Sequence, residues 1–357
     1  MKTAIIGLPM TGKTSLFTIL TGVVQETRIG STAVRTGVAR VPDPRVEELA
    51  RLYEPPKITH ATVEYVDMPS ISKESLRDPS YLASLRVVDA FAQVLRLFED
   101  DTIPHEKGSL DPIRDLEDVE TELILSDLVV VEKRLERLEK DRKKIKSADL
   151  DREFELLEKC KAVLEENKPL RELPLEGEDE KRIRGFQFLS QKPMLFVLNL
   201  GESDATRLHQ REKEFREGPL AGRAQTAVTA VCGKIEAELA ELPPGEQQEY
   251  LASYGLSESA LERLISATYA LLGLMSFLTA GETEVRAWTI PVHSTAVKAA
   301  GAIHSDFEKK FIRAEVVNWK ALVDHGGYPG VREKGLLRLE GKEYIVKDGD
   351  VLVIRHG

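Results

Sequence analysis

The chain carries, near its start, the segment Gly7-Leu-Pro-Met-Thr-Gly-Lys-Thr14. This segment matches the pattern G-x-x-x-x-G-K-[ST], in which a loop lies between a strand and a helix. Residues 3–6 before it are typical of a short strand, and residues 13–20 are typical of a helix. The glycines allow successive backbone N–H groups to converge on an anion at the start of the helix. The segment therefore predicts a loop that binds the phosphates of a nucleotide.

The side chains of this loop predict how a triphosphate and a magnesium ion are held. Lys13 is expected to reach the β- and γ-phosphates as the catalytic cation, and the Thr14 hydroxyl is expected to bind Mg²⁺. Asp67 is the predicted acidic partner of the metal, and Ser31 or Thr32 in the intervening loop is expected to complete the metal shell. The residues predicted to contact the nucleotide here are Leu8, Pro9, Met10, Thr11, Gly12, Lys13, Thr14 and Ser15.

Short apolar runs alternate with helical stretches in the parts of the chain that follow. Residues 62–66, 90–97 and 193–198 have the composition of buried strands. Strands that alternate with helices are the signature of a parallel sheet covered on both faces. The sequence therefore predicts an α/β fold with a mostly parallel sheet, as in the G domain of a P-loop NTPase.

A loop that reads the base is predicted after the last of these strands, where the sequence is Asn199-Leu-Gly-Glu202. In ordinary GTPases this loop reads N-K-x-D, and the Asp carboxylate accepts hydrogen bonds from guanine. Here a longer Glu replaces the Asp, and a Leu replaces the Lys. The sequence therefore argues against strict guanine specificity, although it does not by itself prove adenine.

Residues 112–184 are rich in Leu, Glu, Lys and Arg. Their apolar residues recur at steps of three to five, with a break at residues 147–149, which predicts a pair of long antiparallel helices. Cys160 lies on the apolar stripe and is expected to be a buried structural thiol. Residues 131–146 contain eight basic and four acidic residues. This basic excess fits either contact with a phosphate backbone or an ordinary solvated helix face.

Residues 280–357 change character again. Strand-like runs surround a helical run at residues 296–311, and they lie at residues 285–290, 313–318, 336–339, 344–346 and 351–355. One helix over a small mixed sheet is the β-grasp, or ubiquitin-like, arrangement. The predicted domains are a first part of the G domain at 1–110, a helical coiled-coil insertion at 111–185, a second part of the G domain at 186–278, and a β-grasp domain at 279–357.

The composition bounds the class of protein. The 357 residues are 42% hydrophobic and carry a net charge of −10, which allows a large core and excludes a wholesale polycation. Two cysteines cannot build a disulfide framework. Because the chain has no apolar run of about 18 residues and no signal-peptide pattern, we expect a cytoplasmic protein with no membrane segment. Its oligomeric state stays open.

Taken together, these segments resemble the YchF family, the Obg-related subfamily of P-loop NTPases. The resemblance covers nearly the whole chain and is most specific at residues 279–290. It implies a G domain interrupted by a helical hairpin and followed by a TGS domain, a ubiquitin-like module. The matching segments are residues 7–14, 41–45, 116–123, 131–138, 192–202, 279–290, 304–316 and 339–350.

The resemblance also implies an activity and partners. Members of the family commonly prefer ATP over GTP, hydrolyse it slowly with a hydrophobic residue in place of a catalytic Gln, and associate with ribosomes and RNA. Ile71 stands at that hydrophobic position, and residues 232–236 resemble the Ser-Ala-Lys loop whose backbone touches the base, with Cys232 and Gly233 as departures from it. The implied function is that of a Mg²⁺-dependent slow ATPase, able to take GTP. It would act as a ribosome- or RNA-associated translation factor through its helical insertion and TGS domain.

One departure from the family leaves alternatives open. Asp67-Met-Pro-Ser70 stands where the family has D-x-x-G, and that glycine adopts backbone angles that a serine adopts only at a cost. Ser70 therefore favours a second interpretation, in which the protein is a nucleotide-binding adaptor with little or no hydrolysis. A GTP-binding GTPase is the remaining alternative.

Overall fold

The fold is seen in a computed structural model, which describes residues 1–23 and 34–357. The described strands are β1 (Lys2–Ile6), β2 (Arg35–Arg40), β3 (Ile58–Thr59), β4 (Thr62–Asp67), β5 (Ala90–Leu97), β6 (Met194–Leu200), β7 (Thr226–Val231), β8 (Leu274–Ala280), β9 (Val285–Pro291), β10 (Phe311–Asn318), β11 (Arg338–Glu340) and β12 (Asp350–His356). The described α-helices are α1 (Lys13–Thr21), α2 (Pro44–Tyr53), α3 (Pro79–Arg86), α4 (Pro112–Lys144), α5 (Ala148–Glu165), α6 (Glu178–Arg184), α7 (Leu208–Glu217), α8 (Gly233–Glu241), α9 (Pro244–Ser253), α10 (Ala260–Leu271), α11 (Ala296–Ile303), α12 (Ser305–Lys309), α13 (Trp319–Asp324) and α14 (Tyr328–Glu333).

Contacts between residues divide the chain into two compact units. The first contains Met1–Val38 and Glu64–Ala267, and the second contains Ala39–Val63 and Thr268–Gly357. The sequence placed residues 39–63 within the first part of the G domain. Their contacts instead assign them to the unit that holds the C-terminal residues.

Two interactions explain why this early segment joins the second unit. Strand β3 pairs in parallel with β9, with Ile58 opposite Val285. Arg45, in the first turn of α2, donates to both carboxylate oxygens of Asp348, at 2.8 and 3.2 Å. Asp43 caps α2 and accepts three hydrogen bonds from the same Arg45, which holds the guanidinium in place for its second partner.

The sheet of the first unit confirms the predicted α/β class. Its strand order is β2-β4-β1-β5-β6-β7, and β1 pairs in parallel with both β4 and β5. Strands β5, β6 and β7 continue the parallel pairing. Every residue of β6 is buried, as expected for a parallel strand covered on both faces. The carboxyl ends of β1, β4, β6 and β7 therefore open onto one edge of the sheet, where ligands bind in this class of fold.

The predicted helical pair is present as α4 and α5. Ion pairs join Arg134 to Glu153 at 2.7 Å and Arg142 to Asp151 at 2.6 Å, a pairing that only antiparallel neighbours can make. Cys160 is fully buried, as the sequence predicted, and burial raises the pKa of its thiol to about 11. Among the described helices, none combines the length and apolarity needed to cross a membrane. The buried core of this region contains Ile124, Val131, Leu135, Leu138, Leu156, Leu157, Cys160, Leu164, Leu170, Ile183 and Phe188.

The sheet of the second unit has the mixed order β11-β10-β12-β8-β9-β3. Strand β10 pairs antiparallel with β12, β12 pairs parallel with β8, and β8 pairs antiparallel with β9. Helix α11 contributes small buried side chains, among them Ala299 and Ala300, to the core on one face of this sheet. A helix on a small mixed sheet is the arrangement that the sequence predicted.

Three local predictions in this unit were wrong. The helix predicted at residues 296–311 ends at Ile303, because the His304 ring accepts a hydrogen bond from the N–H of Asp306 and starts a separate short helix. The strand predicted at residues 344–346 is reduced to a single bridge between Ile345 and Thr295. The strand predicted at 336–339 is instead β11, two residues further on.

Substitution of Leu157 tests the packing of the helical pair. Leu157→Ala removes a fully buried side chain from the core of α4 and α5, so we expect the free energy of unfolding to fall by about 2–5 kcal/mol. Urea denaturation followed by circular dichroism measures this loss. Glu158→Ala, one residue further on and exposed, is the matched control and should change little. A loss at Leu157 no greater than at Glu158 would contradict the described core.

Candidate nucleotide-binding site

The loop between β1 and α1 has a conformation and a packing that require its glycines. Gly12 lies at φ +94°, in the left-handed region, and a Cβ there would come within 2.5 Å of Nδ2 of Asn199. A Cβ on Gly7 would come within 2.7 Å of the carbonyl oxygen of Val94. The Thr11 hydroxyl donates to the carbonyl of Leu8 at 3.1 Å and closes the loop on itself. The glycines therefore permit both the backbone angle at residue 12 and the close packing of the loop.

The predicted loop residues divide into supporting and accessible side chains. Leu8 and Thr11 are buried beneath the loop, and Pro9 is half-buried. Met10 is 54% exposed. Thr14 and Ser15, in the first turn of α1, are exposed. The first turn of a helix carries N–H groups without intrahelical partners, so this accessible surface is suited to an anion.

Lys13 points back over the loop. Its Nζ donates to the carbonyl of Leu8 at 2.5 Å and to the hydroxyl of Ser70 at 3.1 Å. The side chain is buried, and burial lowers the pKa of its ammonium group to about 8, partly opposed by the negative charges of Asp67 and Glu106. The structure thus brings the predicted catalytic cation to the residue that replaces the glycine of the D-x-x-G pattern.

The two predicted metal ligands that lie among the described residues are in contact. The Thr14 hydroxyl donates to Oδ2 of Asp67 at 3.0 Å. Oδ1 of Asp67 is buried and has no hydrogen-bond partner among the described residues. A hydroxyl and a carboxylate with an unsatisfied oxygen are the hard donors that Mg²⁺ prefers, so these residues fit a magnesium ion. Ser31 and Thr32 lie outside the described residues.

Arg35 is a site residue that the sequence did not reveal. Its guanidinium forms an ion pair with Oδ2 of Asp67, the same oxygen that accepts the Thr14 hydroxyl, and it lies over the ring of Phe17 at 5.4 Å from the centroid. No motif connects Arg35 to Asp67. The sequence offered one signal, which is that Arg35 follows shortly after the predicted Ser31 and Thr32 loop. Arg35 begins strand β2, which lies beside β4 in the sheet.

The two loops predicted to lie beside the nucleotide base, at residues 199–202 and 232–233, are joined through Asn199. The Asn199 amide donates to the carbonyl of Thr11 at 3.0 Å and accepts from the N–H of Gly233 at 3.1 Å. Cys232 is buried, and burial raises the pKa of its thiol, so its side chain supports the loop from within. Asn199, Thr11 and Gly233 are therefore brought together as one connected edge of the site.

Glu202 has a partner that the sequence did not predict. Its carboxylate accepts a hydrogen bond from Nζ of Lys234 at 2.5 Å. Lys234 follows Gly233 in the first turn of α8. The two base-side loops are thus joined by an ion pair as well as by Asn199.

The residues after Asp67 are held against the phosphate-binding loop. The N–H of Ile71 donates to the carbonyl of Gly7 at 3.3 Å, and the Ile71 side chain is buried. Tyr81 donates to the carbonyl of Pro69 at 2.8 Å. A buried aliphatic side chain cannot orient or deprotonate a water molecule, so Ile71 supplies no general base.

Comparisons with known proteins found relatives that match nearly the whole chain. The chain is 40% identical over 362 residues to the Ribosome-binding ATPase YchF of Bacillus subtilis, with 99% of each chain covered. It belongs to the YchF family. The protein of the same name from Escherichia coli O157:H7 is 40% identical to this YchF-family chain over 360 residues, with 98% of each covered. A family model called YchF-GTPase_C, described as a protein of unknown function, matches residues 274–357.

A solved structure gives the same result for the fold of this YchF-family chain. The YchF GTPase of Schizosaccharomyces pombe matches it with a TM-score of 0.85 at 29% identity, covering 99% of this chain and 97% of that one. The family resemblance and the P-loop fold are thereby confirmed. The roles of the individual site residues stay predictions.

Substitution of Gly12 tests the contact between the loop and Asn199. Gly12→Ala adds a methyl group 2.5 Å from the Asn199 amide at a residue with φ +94°. Gly22→Ala, at φ +67° with open space around the added Cβ, carries the backbone strain alone and is the matched control. We expect Gly22→Ala to lower the free energy of unfolding by about 1 kcal/mol, and Gly12→Ala to lower it by about 1–3 kcal/mol more. If urea denaturation shows equal losses of unfolding free energy for the two variants, the methyl group at residue 12 is accommodated beside Asn199 without cost, contrary to this prediction.

Proposed function

We propose that this YchF-family protein is a Mg²⁺-dependent ATPase of low turnover. The observation that carries the proposal is the convergence of Lys13, Thr14 and Asp67 at one end of a glycine-bounded loop. These are the groups that a P-loop NTPase uses for its β- and γ-phosphates and its metal. The bacterial relatives named Ribosome-binding ATPase YchF support the same activity.

In the proposed reaction, the chain mainly positions and stabilises charge. The N–H groups at the start of α1 bind the phosphates, and Lys13 exchanges its contacts with Leu8 and Ser70 for contacts with phosphate oxygens. Thr14 and Asp67 hold the metal, which when bound neutralises charge on the β- and γ-phosphates. A water molecule attacks the γ-phosphorus in line, and the bond from that phosphorus to the β–γ bridging oxygen breaks. ADP leaves with the electron pair, while the proton of the water passes to the released phosphate or to solvent. Because Ile71 offers no base, we expect turnover to be slow.

We infer a preference for ATP over GTP from the base-side loops. The carboxylate of Glu202 is engaged by Lys234, so reading guanine would require that ion pair to break. Asn199 supports the loops through Thr11 and Gly233, and Glu202 stands where a guanine-reading loop has its Asp. A GTPase activity is the alternative, and it would appear as comparable affinity for both nucleotides.

A second candidate function is a nucleotide-binding adaptor with little hydrolysis. Ser70 favours it, because its hydroxyl holds the Lys13 ammonium and a serine resists the backbone change available to glycine. In this case the nucleotide would act as a structural ligand. The helical pair and the C-terminal unit, which we assign as a TGS domain, would be the working surfaces.

We further propose a cytoplasmic role on the ribosome or RNA. The relatives' printed names include ribosome binding. At the far end of α4, Lys140, Lys143 and Lys144 are exposed, whereas Arg134 and Arg142 are paired with carboxylates of α5. The exposed lysines therefore provide the charge that could meet phosphates.

Substitution of Lys13 tests the enzymatic proposal. Lys13→Ala should lower the rate of phosphate release from ATP by at least about a hundredfold, because it removes a cation directed at the transferred phosphate. Lys159→Ala, on the exposed side of α5, is the control. Calorimetric titration of the unaltered protein with Mg²⁺-ATP and Mg²⁺-GTP measures base preference in parallel. Binding of ATP without Lys13-dependent hydrolysis would favour the adaptor, and no binding of either nucleotide would defeat both interpretations.

A charge-reversing variant tests the ribosome proposal. The double substitution Lys143→Glu and Lys144→Glu should weaken co-sedimentation with purified ribosomes, and each lost phosphate contact should reduce the slope of log K against log salt by about 1. Lys342 is exposed in the C-terminal unit, and Lys342→Glu is the comparison variant. Weaker ribosome binding in Lys342→Glu would indicate a contact through the proposed TGS domain and not through the end of α4. Unchanged affinity at low salt in the double variant would exclude the end of α4 as the contact.

A further inference from the structure

The carboxylate of Asp67 is buried together with a guanidinium. Asp67 is 5% exposed and Arg35 is 8% exposed, and the two form an ion pair. A charge removed from water is costly unless an opposite charge and hydrogen bonds compensate it. Arg35 supplies that compensation at Oδ2, where the Thr14 hydroxyl also donates.

The position of Arg35 is built by its surroundings. The guanidinium lies over Phe17, which is fully buried in α1, so an aromatic face supports the cation from one side. The nearby ammonium of Lys13 donates its hydrogen bonds to Leu8 and Ser70. Arg35 is therefore the cation that hydrogen-bonds directly to Asp67 among the described residues.

The same oxygen is the contact point of the two residues proposed to hold the metal. Thr14 and Asp67 are the proposed ligands, and the contact between them runs through Oδ2. A metal held by the Thr14 hydroxyl and Oδ2 of Asp67 would share that oxygen with the Arg35 guanidinium. Two cations cannot share that oxygen without strong repulsion at low local dielectric. A metal that took Oδ2 would therefore compete with the guanidinium for that oxygen, whereas Oδ1 has no partner among the described residues to be displaced.

We propose that Arg35 is the resident counter-ion of Asp67 and that Mg²⁺ competes with it, so that Arg35 sets the magnesium concentration at which nucleotide binds. This inference rests on the proposed metal role of Thr14 and Asp67. Arg35 is a positioning residue in this scheme, because it acts on the metal through Asp67. Its removal makes the carboxylate available and favours the metal.

The test measures ATP affinity by calorimetry across a series of free Mg²⁺ concentrations for the full chain and its variants. Arg35→Ala should lower the half-saturating Mg²⁺ concentration by at least about tenfold, the scale of coupling between close charged groups. Arg40→Ala, exposed at the other end of β2, is the matched control and should leave that concentration unchanged. An unchanged or raised concentration in Arg35→Ala overturns the proposal.

A second readout uses Mn²⁺ alone as a paramagnetic probe, with bound metal measured by electron paramagnetic resonance in the absence of nucleotide. Arg35→Ala should bind Mn²⁺ more tightly than the unaltered protein, and equal binding overturns the proposal. Should Arg35→Ala fail to fold, Arg35→Lys replaces it in both measurements. Lysine keeps the charge but lacks the planar fork of arginine, so it should produce a smaller shift in the same direction, and no shift overturns the proposal.

The calorimetric and Mn²⁺ measurements distinguish failure of the proposed function from failure of the role assigned to Arg35. If the unaltered protein binds no nucleotide at any Mg²⁺ concentration, the proposed function has failed, and the Mn²⁺ comparison alone decides the role of Arg35. If nucleotide binds with the same Mg²⁺ dependence in all variants, the proposed function stands and the role assigned to Arg35 is wrong.

Discussion

The amide of Asn199 links the phosphate-binding loop to the loop after β7, and the geometry of the site depends on that link. It donates to Thr11 and accepts from Gly233. Because the amide is buried, loss of either partner would leave a buried polar group unsatisfied, at a cost of about 1–3 kcal/mol. A Cβ on Gly12 would lie 2.5 Å from this side chain and one on Gly233 would lie 3.2 Å from it. Glycine at these two positions thus serves the packing of the loops, besides the anion-binding role proposed for the loop at residues 7–14.

Short patterns in the sequence were sufficient to predict much of the fold and part of the candidate site. The loop at residues 7–14, the buried strand β6 and the helical pair each have a signature within a short window, so the sequence revealed them. Arg35 had no such signature, because its partner Asp67 is distant in the chain and the two meet only when β2 enters the sheet. Residues 39–63 were misplaced for the same reason, since their partners are residues such as Val285 and Asp348.

Ser70 changes the resting state of Lys13. A glycine there would offer no side-chain acceptor, whereas the Ser70 hydroxyl accepts from the ammonium at 3.1 Å. The ammonium is thereby held beside the loop by two acceptors, the carbonyl of Leu8 and the hydroxyl of Ser70. In the phosphate-binding role proposed for Lys13, the same contact with Ser70 would have to break. Ser70, the residue that departs from the family pattern, is therefore in direct contact with Lys13, the residue proposed to bind the nucleotide phosphates.

The discontinuous second unit has a consequence for how the polypeptide is made. Ala39–Val63 leaves the site of synthesis early, yet its partners in Thr268–Gly357 follow only after Glu64–Ala267, some two hundred residues later. At elongation rates of about 5–20 residues per second, α2 and β3 wait roughly 10–40 s for the strands that will cover them. During that interval the apolar side chains Val46 and Leu49, fully buried in the finished protein, face solvent or a chaperone. The first unit can complete its sheet, except for β2, which leads into Ala39–Val63. At that time most residues of the second unit have not yet been synthesised.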